Sequence, residues 1–489
     1  MTEPLPVRSV HGSMPSRTTN RSSRSLQIWW LVMTAMATYG IVFSPSWLSA
    51  GAYLVVALAA MLPMWFWLKA GAGGVPILPI VGLIYFQFYA MPIVTSAYDV
   101  ARYSEYDILN AALSVALFLV PATASWLAVR RKINRIKDRA EKIQLVTDRE
   151  TIRFCLFGLG MGALFEIAII QNWLFWAGSS FGLVRAFFFS ISLLACFLMG
   201  ILLGQKKLRG EQRYLAITLL TLTVVLTVSS LFLVRGVMLI ATLVFANLIV
   251  TRRLMISLLI VTMPLAFLLH AGKGEMRDKY WNDGISGSTV NSIFQVPVFY
   301  SEWVASGIES IAEDRQYQSL SDRVSLLNML LMAQARTPSE IDFLYGETYK
   351  PLLTILVPRF VDPTKPVSQI SMNMLNVRYG LVTLGADDEI RTAIGWGVIA
   401  EGFINFSYWG IVGVGILLGT FMGVMERLAF GKSALSLQVL LAIITLLTMI
   451  NLEVDLTYLV SILWQSFIVV IVIYMILRFR KRKFRVRTI

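Results

Sequence analysis

Two cysteines and two histidines are all that the 489 residues hold. Cys155 and Cys196 both lie in apolar runs, which leaves neither a disulfide framework nor a thiolate zinc site. His11 and His270 are too few and too far apart for a histidine metal centre. Charge is scarce too, at 15% of residues, and no internal repeat is present. What fills the chain instead is apolar: 56% of residues are hydrophobic and the mean hydropathy is +0.68. A soluble domain cannot hide that much apolar surface, whereas a polytopic membrane protein need not.

A membrane-spanning helix needs about 20 apolar residues. Runs of that kind occur at 28–47, 50–68, 75–96, 109–129, 151–170, 184–204, 214–234, 236–251, 254–270, 406–426, 434–451 and 457–477. The spacing predicts an all-α polytopic membrane helix bundle of about twelve spans. Residues 214–251 are nearly uncharged. As one helix they would be roughly 57 Å long at 1.5 Å per residue, against a hydrocarbon core of about 30 Å. The run must fold back, and Arg235-Gly236 is the polar, flexible point near its middle.

Positive charge tests the sidedness. Segment 130–150 carries eight basic and four acidic residues; 205–213, Arg252-Arg253, the turn with Arg427 and Lys432, and 478–488 are also basic. With twelve spans all of these fall on one side, together with the N-terminus, and loops 97–108, 171–183 and 452–456 fall on the other. The chain's net charge of +14 is therefore a topology signal beside anionic lipid rather than a nucleic-acid footprint. The expected organisation is a disordered cytoplasmic tail (1–27), nine spans (28–270), one large outer loop (271–405), three spans (406–477) and a basic cytoplasmic tail (478–489). A cleavable signal peptide, suggested by Ala50 and Ala52, would need an unusually long leading region.

The large loop carries 16 acidic and 11 basic residues. Helical apolar spacing at 300–312 and 320–335 predicts two amphipathic helices lying against the membrane or the bundle. Several stretches could carry chemistry. Arg235 falls at a turn near the outer surface, either snorkelling or presented to a lipid phosphate. Lys273 and Arg277 lie in GKGEMRDKYW, where Gly272 and Gly274 would leave amides free for an anion. YGETYKPLL leads into VPRFVDPTKP, in which three prolines would hold Arg359 and Lys365 on a rigid turn. A guanidinium makes bidentate bonds to phosphate, and rigidity lowers the entropy lost in doing so. Asp362 could instead pair with either cation merely to hold the turn. Tyr345 and Tyr349 offer faces for a sugar. Glu347 and Glu401 are candidate general bases for a sugar hydroxyl. Asp387-Asp388-Glu389 reads as a solvated patch rather than a metal site. Glu166 reads as the only acidic residue inside a span, where it could pair with Arg185, Arg235 or neither.

The order of these features resembles a known family. An RG turn between two helices precedes a large outer loop with a PR-x(3)-P-x-KP stretch. An E-G-x(2)-N-F-x(3)-G sequence then enters the next helix, here Glu401, Gly402, Asn405, Phe406 and Gly410. That pattern is similar to the bacterial oligosaccharide repeat-unit polymerases, the Wzy-type O-antigen and exopolysaccharide polymerases, over about 230–425. The resemblance implies a GT-C-like membrane glycosyltransferase of the bacterial inner membrane with both termini cytoplasmic. It would join polyprenyl-diphosphate-linked oligosaccharides at the periplasmic face, without cofactor or metal. Arg235, Arg277 and Arg359, with Lys273 and Lys365, would engage the diphosphate. Tyr345 and Asn405 would contact substrate, and Glu401 or Glu347 would activate the acceptor. Membrane lipid and a chain-length regulator protein are the implied partners, and nucleic acid is not. An O-antigen ligase shares donor and architecture, while a polysaccharide transporter would spread its polarity along many spans.

Overall fold

The computed structural model describes residues 19–131, 148–174, 181–251, 254–280, 290, 292–312, 325–357, 361–362, 364–382, 394–432, 436–451 and 454–486. Among these, every one of the twelve apolar runs is helical. They form α1 (Thr19–Phe43), α2 (Trp47–Lys69), α3 (Ile77–Val94), α4 (Glu105–Arg130), α5 (Asp148–Ile170), α6 (Phe181–Gly204), α7 (Glu211–Val228), α8 (Leu233–Thr251) and α9 (Ile256–Ala271). After the large loop come α15 (Gly397–Ala429), α16 (Leu437–Met449) and α17 (Leu456–Val486). The loop contributes α10 (Lys273–Tyr280), α11 (Val296–Ala312), α12 (Leu326–Arg336), the short α13 (Leu352–Ile355) and α14 (Ile370–Arg378).

Eight helices, α1 to α7 and α15, are long and apolar enough to cross a membrane. A ninth span results if α9 and α10, bent by 54° at Gly272, count as one. The apolar parts of α8, α16 and α17 are shorter. At 1.5 Å per residue the 13 residues of α16 reach only about 20 Å, less than the hydrocarbon thickness. Among the described residues the twelve apolar runs are thus all helical, and eight of these helices have spanning length by themselves.

The helix ends meet as the alternation of basic loops requires. At one end Arg130, closing α4, donates to the Gly73 carbonyl in the α2–α3 turn at 2.9 Å. It also lies 3.9 Å from Glu426 near the end of α15. Glu426 Oε1 in turn accepts from the Ile77 and Leu78 amides at 2.7 and 3.2 Å, capping the first turn of α3. At the opposite end, Asn110 near the start of α4 bonds the Tyr408 hydroxyl at 3.1 Å, and Gln334 of α12 donates to Ser114 at 2.7 Å. This second end carries the large loop and is called the loop end.

The most extensive helix pairing is α4 with α15. Gly415, Gly419 and Gly423 recur every fourth residue and let the two backbones touch, the small-residue seam by which membrane helices pack closely. A Cβ at Gly419 would stand 2.1 Å from the Ala122 carbonyl oxygen, which belongs to a helix backbone and cannot move aside. Gly419→Val is expected to cost about 1–3 kcal/mol or more in overpacking. The check is a lower midpoint of thermal unfolding for the protein purified in detergent.

Three expectations need correction. The fold-back in 214–251 does not turn at Arg235-Gly236 but at 229–232. The Ser229 and Ser230 hydroxyls bond back to the Leu226 and Thr227 carbonyls at 2.7 Å each, and Leu231 turns the chain at φ +60. Gly236 serves packing, since a Cβ there would lie 2.3 Å from Val228. Second, GKGEMRDKYW is no open anion-binding turn: residues 273–280 are helix. Gly272 is closed off by Gly307 of α11, whose amide would lie 2.7 Å from an added Cβ. Third, Glu166 is not alone, because Glu426 and Glu401 also lie buried within α15. The two amphipathic helices of the loop are realised as α11 and α12. Helix α11 docks on the bundle by a Tyr300 hydroxyl donating to the Val225 carbonyl and a Trp303 indole donating to Leu269, each at 2.7 Å.

Candidate functional site

The loop end holds two groups of polar side chains. The first is built on a break in α15. Phe406 (φ −140, ψ 27) and Ser407 (φ 56, ψ −146) leave helical geometry, so the carbonyls of Ile404 and Asn405 lose their partners in the next turn. Residues 344–349, here termed the strap, take those carbonyls: the Leu344 amide donates to Ile404 O at 3.0 Å and the Tyr345 amide to Asn405 O at 3.1 Å. The Asn405 side chain completes the joint. Its Oδ1 accepts from the Gly346 amide at 2.9 Å, and its Nδ2 donates to Thr348 Oγ1 and Glu401 O, each at 2.8 Å. Across the break the backbones of Gly402 and Gly410 touch, since a Cβ at Gly410 would lie 2.0 Å from Gly402 O. Left-handed geometry at a residue with a side chain is a backbone strain of the sort that clusters at functional sites.

Beneath the strap, Glu401 and Asp455 are both fully buried. Glu401 Oε2 accepts from the Leu456 amide at 2.7 Å and Asp455 Oδ1 from the Tyr458 amide at 2.6 Å, so both carboxylates cap the N-terminus of α17. The Thr348 carbonyl receives the hydroxyls of Ser371 in α14 (2.6 Å) and Thr457 in α17 (2.9 Å). Strap, α14, α15 and α17 are thereby one hydrogen-bonded unit.

The second group is cationic. Arg235 lies in the first turn of α8 and Arg185 in the second turn of α6, both half-buried. Each stands over a phenylalanine ring, Arg235 over Phe232 at 4.6 Å and Arg185 over Phe181 at 5.7 Å. They lie within electrostatic reach of one another and of Glu166, whose Oε1 accepts from the Thr227 hydroxyl at 3.2 Å. Arg235 also lies within reach of Tyr458 in α17, which links this group to the first. Cations at helix N-termini oppose the helix dipole. Two guanidiniums facing one carboxylate leave an excess positive charge there, and that arrangement suits an anion.

The residues singled out in the sequence separate accordingly. Arg235 belongs to the cationic group, and Arg185, considered there only as a partner for Glu166, stands beside it. The signal that could have found it was the matching position of the two arginines, each just inside a helix that starts at the loop end. Arg277 and Lys273 are half-buried in α10, and both have partners inside the protein. Arg277 borders, through Met276, the apolar cluster that holds Leu231 and Leu233. Lys365 is engaged with backbone: its Nζ donates to Ile355 O at 3.0 Å and Val357 O at 2.6 Å, closing the end of α13. Asp362 forms a turn with Thr364 rather than an ion pair with Lys365, accepting from its amide at 3.0 Å and its hydroxyl at 2.7 Å. Arg359 and the acidic run 387–389 lie outside the described residues.

Asn405 holds the strap, and both atoms of its amide are occupied within the protein, so a substrate-binding role does not fit. Glu401 faces Asp455 from a wholly buried position rather than the surface, and the role of acceptor base does not fit the conformation seen. Glu347 is partly exposed and forms an ion pair with Arg378 at 3.1 Å. Tyr345 is 75% exposed beside it and open to a ligand. Among the described residues no group of three or more His, Cys, Asp or Glu could hold a metal ion. No family model, no curated protein and no solved structure matches this chain.

Proposed function

We propose that this chain is a membrane glycosyltransferase that joins polyprenyl-diphosphate-linked oligosaccharide units into O-antigen or exopolysaccharide. The loop end would face the periplasm of a bacterial inner membrane, and the shorter α8, α16 and α17 would complete twelve spans. The observation that carries the reading is the Arg185–Arg235 pair. Two half-buried guanidiniums stand where apolar helices end. A lipid diphosphate is an anion held at that depth by its own hydrocarbon chain. The charge distribution agrees: little polarity lies along the spans and much at the loop end, which favours chemistry there over transport.

In the reaction an acceptor hydroxyl oxygen attacks the donor's anomeric carbon as the bond from that carbon to the phosphate oxygen breaks. The electron pair leaves with the polyprenyl diphosphate, and Arg185 and Arg235 stabilise the charge it gains. The acceptor's proton passes to a base, and of the two candidates Glu347 is the one with solvent access. Tyr345 supplies an exposed ring for the sugar.

The test is elongation in vitro by the purified protein, supplied with a lipid-diphosphate oligosaccharide and read as a ladder on a gel. Arg235→Ala and Arg185→Ala are each expected to slow elongation by roughly 10²–10³-fold, the effect of removing one group that stabilises transition-state charge. A wild-type ladder from the double variant would overturn the role of the pair. Failure of the wild-type protein to extend any such donor would overturn the reaction class.

A further inference from the structure

We propose that Glu401 and Asp455 hold a single proton between them, and that this shared proton latches the 344–349 strap and α14 onto the start of α17. The latch stands independently of the reaction proposed above.

Each carboxylate has one oxygen satisfied by an α17 amide. The others, Glu401 Oε1 and Asp455 Oδ2, are buried with no hydrogen-bond partner. The two groups act on each other electrostatically, and Tyr349, whose buried hydroxyl also lacks a partner, faces both. Among the described residues the surrounding elements bring no cation. From the strap comes Tyr349, with the Thr348 hydroxyl near Glu401; from α17 comes Asp455 itself; from α14 comes the Met372 backbone. Arg378, the cation of α14, is bound to Glu347 at the surface.

Two ionised carboxylates side by side out of water repel strongly, and one proton removes the conflict by turning the pair into a short charge-assisted hydrogen bond. Two carboxylate oxygens buried side by side without a hydrogen-bond partner are the pattern a missing proton leaves. Removing that proton puts two like charges under the strap. The strap is the part that can give, because it is held by single hydrogen bonds to α14, α15 and α17 and contains one 3-10 turn rather than an α-helix.

The pH dependence has a definite sign. Burial holds the Asp455 carboxyl above the roughly 3.9 of a free aspartate, and a coupled pair gives up its last proton later than its first. A folded-state value above the unfolded one means that the native state keeps a proton the unfolded chain releases. The contribution to stability is then fully present below about pH 4 and is lost as pH rises through the folded value.

The experiment measures thermal unfolding in detergent between pH 5 and 9 in potassium buffers, with hydrogen exchange of the strap at pH 8. Wild-type protein should lose stability as pH rises across this range. Asp455→Asn and Glu401→Gln each supply a permanent N–H in place of the proton and keep an oxygen for the α17 amide. Both should flatten the pH profile, and each should slow strap exchange at pH 8 by at least roughly tenfold, the equivalent of one pH unit. Both variants retaining the wild-type profile would overturn the proposal. So would stabilisation of the wild type at pH 8 by sodium in place of potassium, which would mark a cation site instead.

Discussion

Replacing Glu426 by alanine should destabilise the protein by about 3–5 kcal/mol, the cost of removing one partner from a buried ion pair. Glu426 Oε1 caps the first turn of α3 through two amides, and the carboxylate stands 3.9 Å from Arg130. The Arg130 side chain is only 11% exposed. Without Glu426 the guanidinium keeps its bond to the Gly73 carbonyl but loses its counter-charge, and the Ile77 and Leu78 amides lose their acceptor. Glu426→Gln should cost less, because an amide oxygen can still cap α3. The discriminating variant is Arg130→Met with Glu426→Leu, in which no charge is stranded; it should unfold at a higher temperature than Glu426→Ala. A single variant with wild-type stability would show that this end of the bundle is not held by the Arg130–Glu426 contact.

Much of the bundle was legible because apolar length is a one-dimensional signal. Each of the twelve runs became a helix, although α1 and α15 begin nine residues before their runs and α17 ends nine residues after its own. The fold-back between α7 and α8 was misplaced for a physical reason. Arg-Gly looks like a turn by composition, yet the chain turned where two serines could satisfy the last carbonyls of α7 and a leucine could adopt positive φ. Glycines were the residues most misread. Gly236, taken as a flexible point, and Gly272, taken as leaving its amide free for an anion, are places where another element comes too close for a side chain. Glu426 was hidden because its partners, Arg130 and the α3 amides, are some 300 residues away or more.

The E-G-x(2)-N-F-x(3)-G stretch shows the difference between finding residues and assigning their work. All five named residues build one joint. Gly402 and Gly410 allow the backbones to meet across the break, and Phe406 leaves helical geometry beside the Tyr349 ring. Asn405 ties the strap and Glu401 caps α17. Spacing alone pointed to a base and a substrate contact. Burial and completed hydrogen bonding assign both residues to architecture, leaving Tyr345, Glu347, Arg185 and Arg235 among the described residues that a ligand could meet.

Asn405→Ala should therefore act on the strap before it acts on any ligand. The change removes the acceptor for the Gly346 amide and the donors to Thr348 and to the Glu401 carbonyl, all in a fully buried site. Leaving buried polar groups unpaired costs about 1–3 kcal/mol each. With some relaxation the total is on the order of 3 kcal/mol, falling mostly on residues 344–349. Hydrogen exchange should rise throughout the strap, while the amides along the α4–α15 seam keep their protection. Asn405→Asp should be worse, since it retains one acceptor, loses both donors and adds a negative charge next to Glu401 and Asp455. A direct substrate contact predicts something else: weaker binding of the donor or acceptor with strap exchange unchanged. Because Asn405 uses its one acceptor and both donors inside the fold, the strap should loosen and any loss of binding should follow from that.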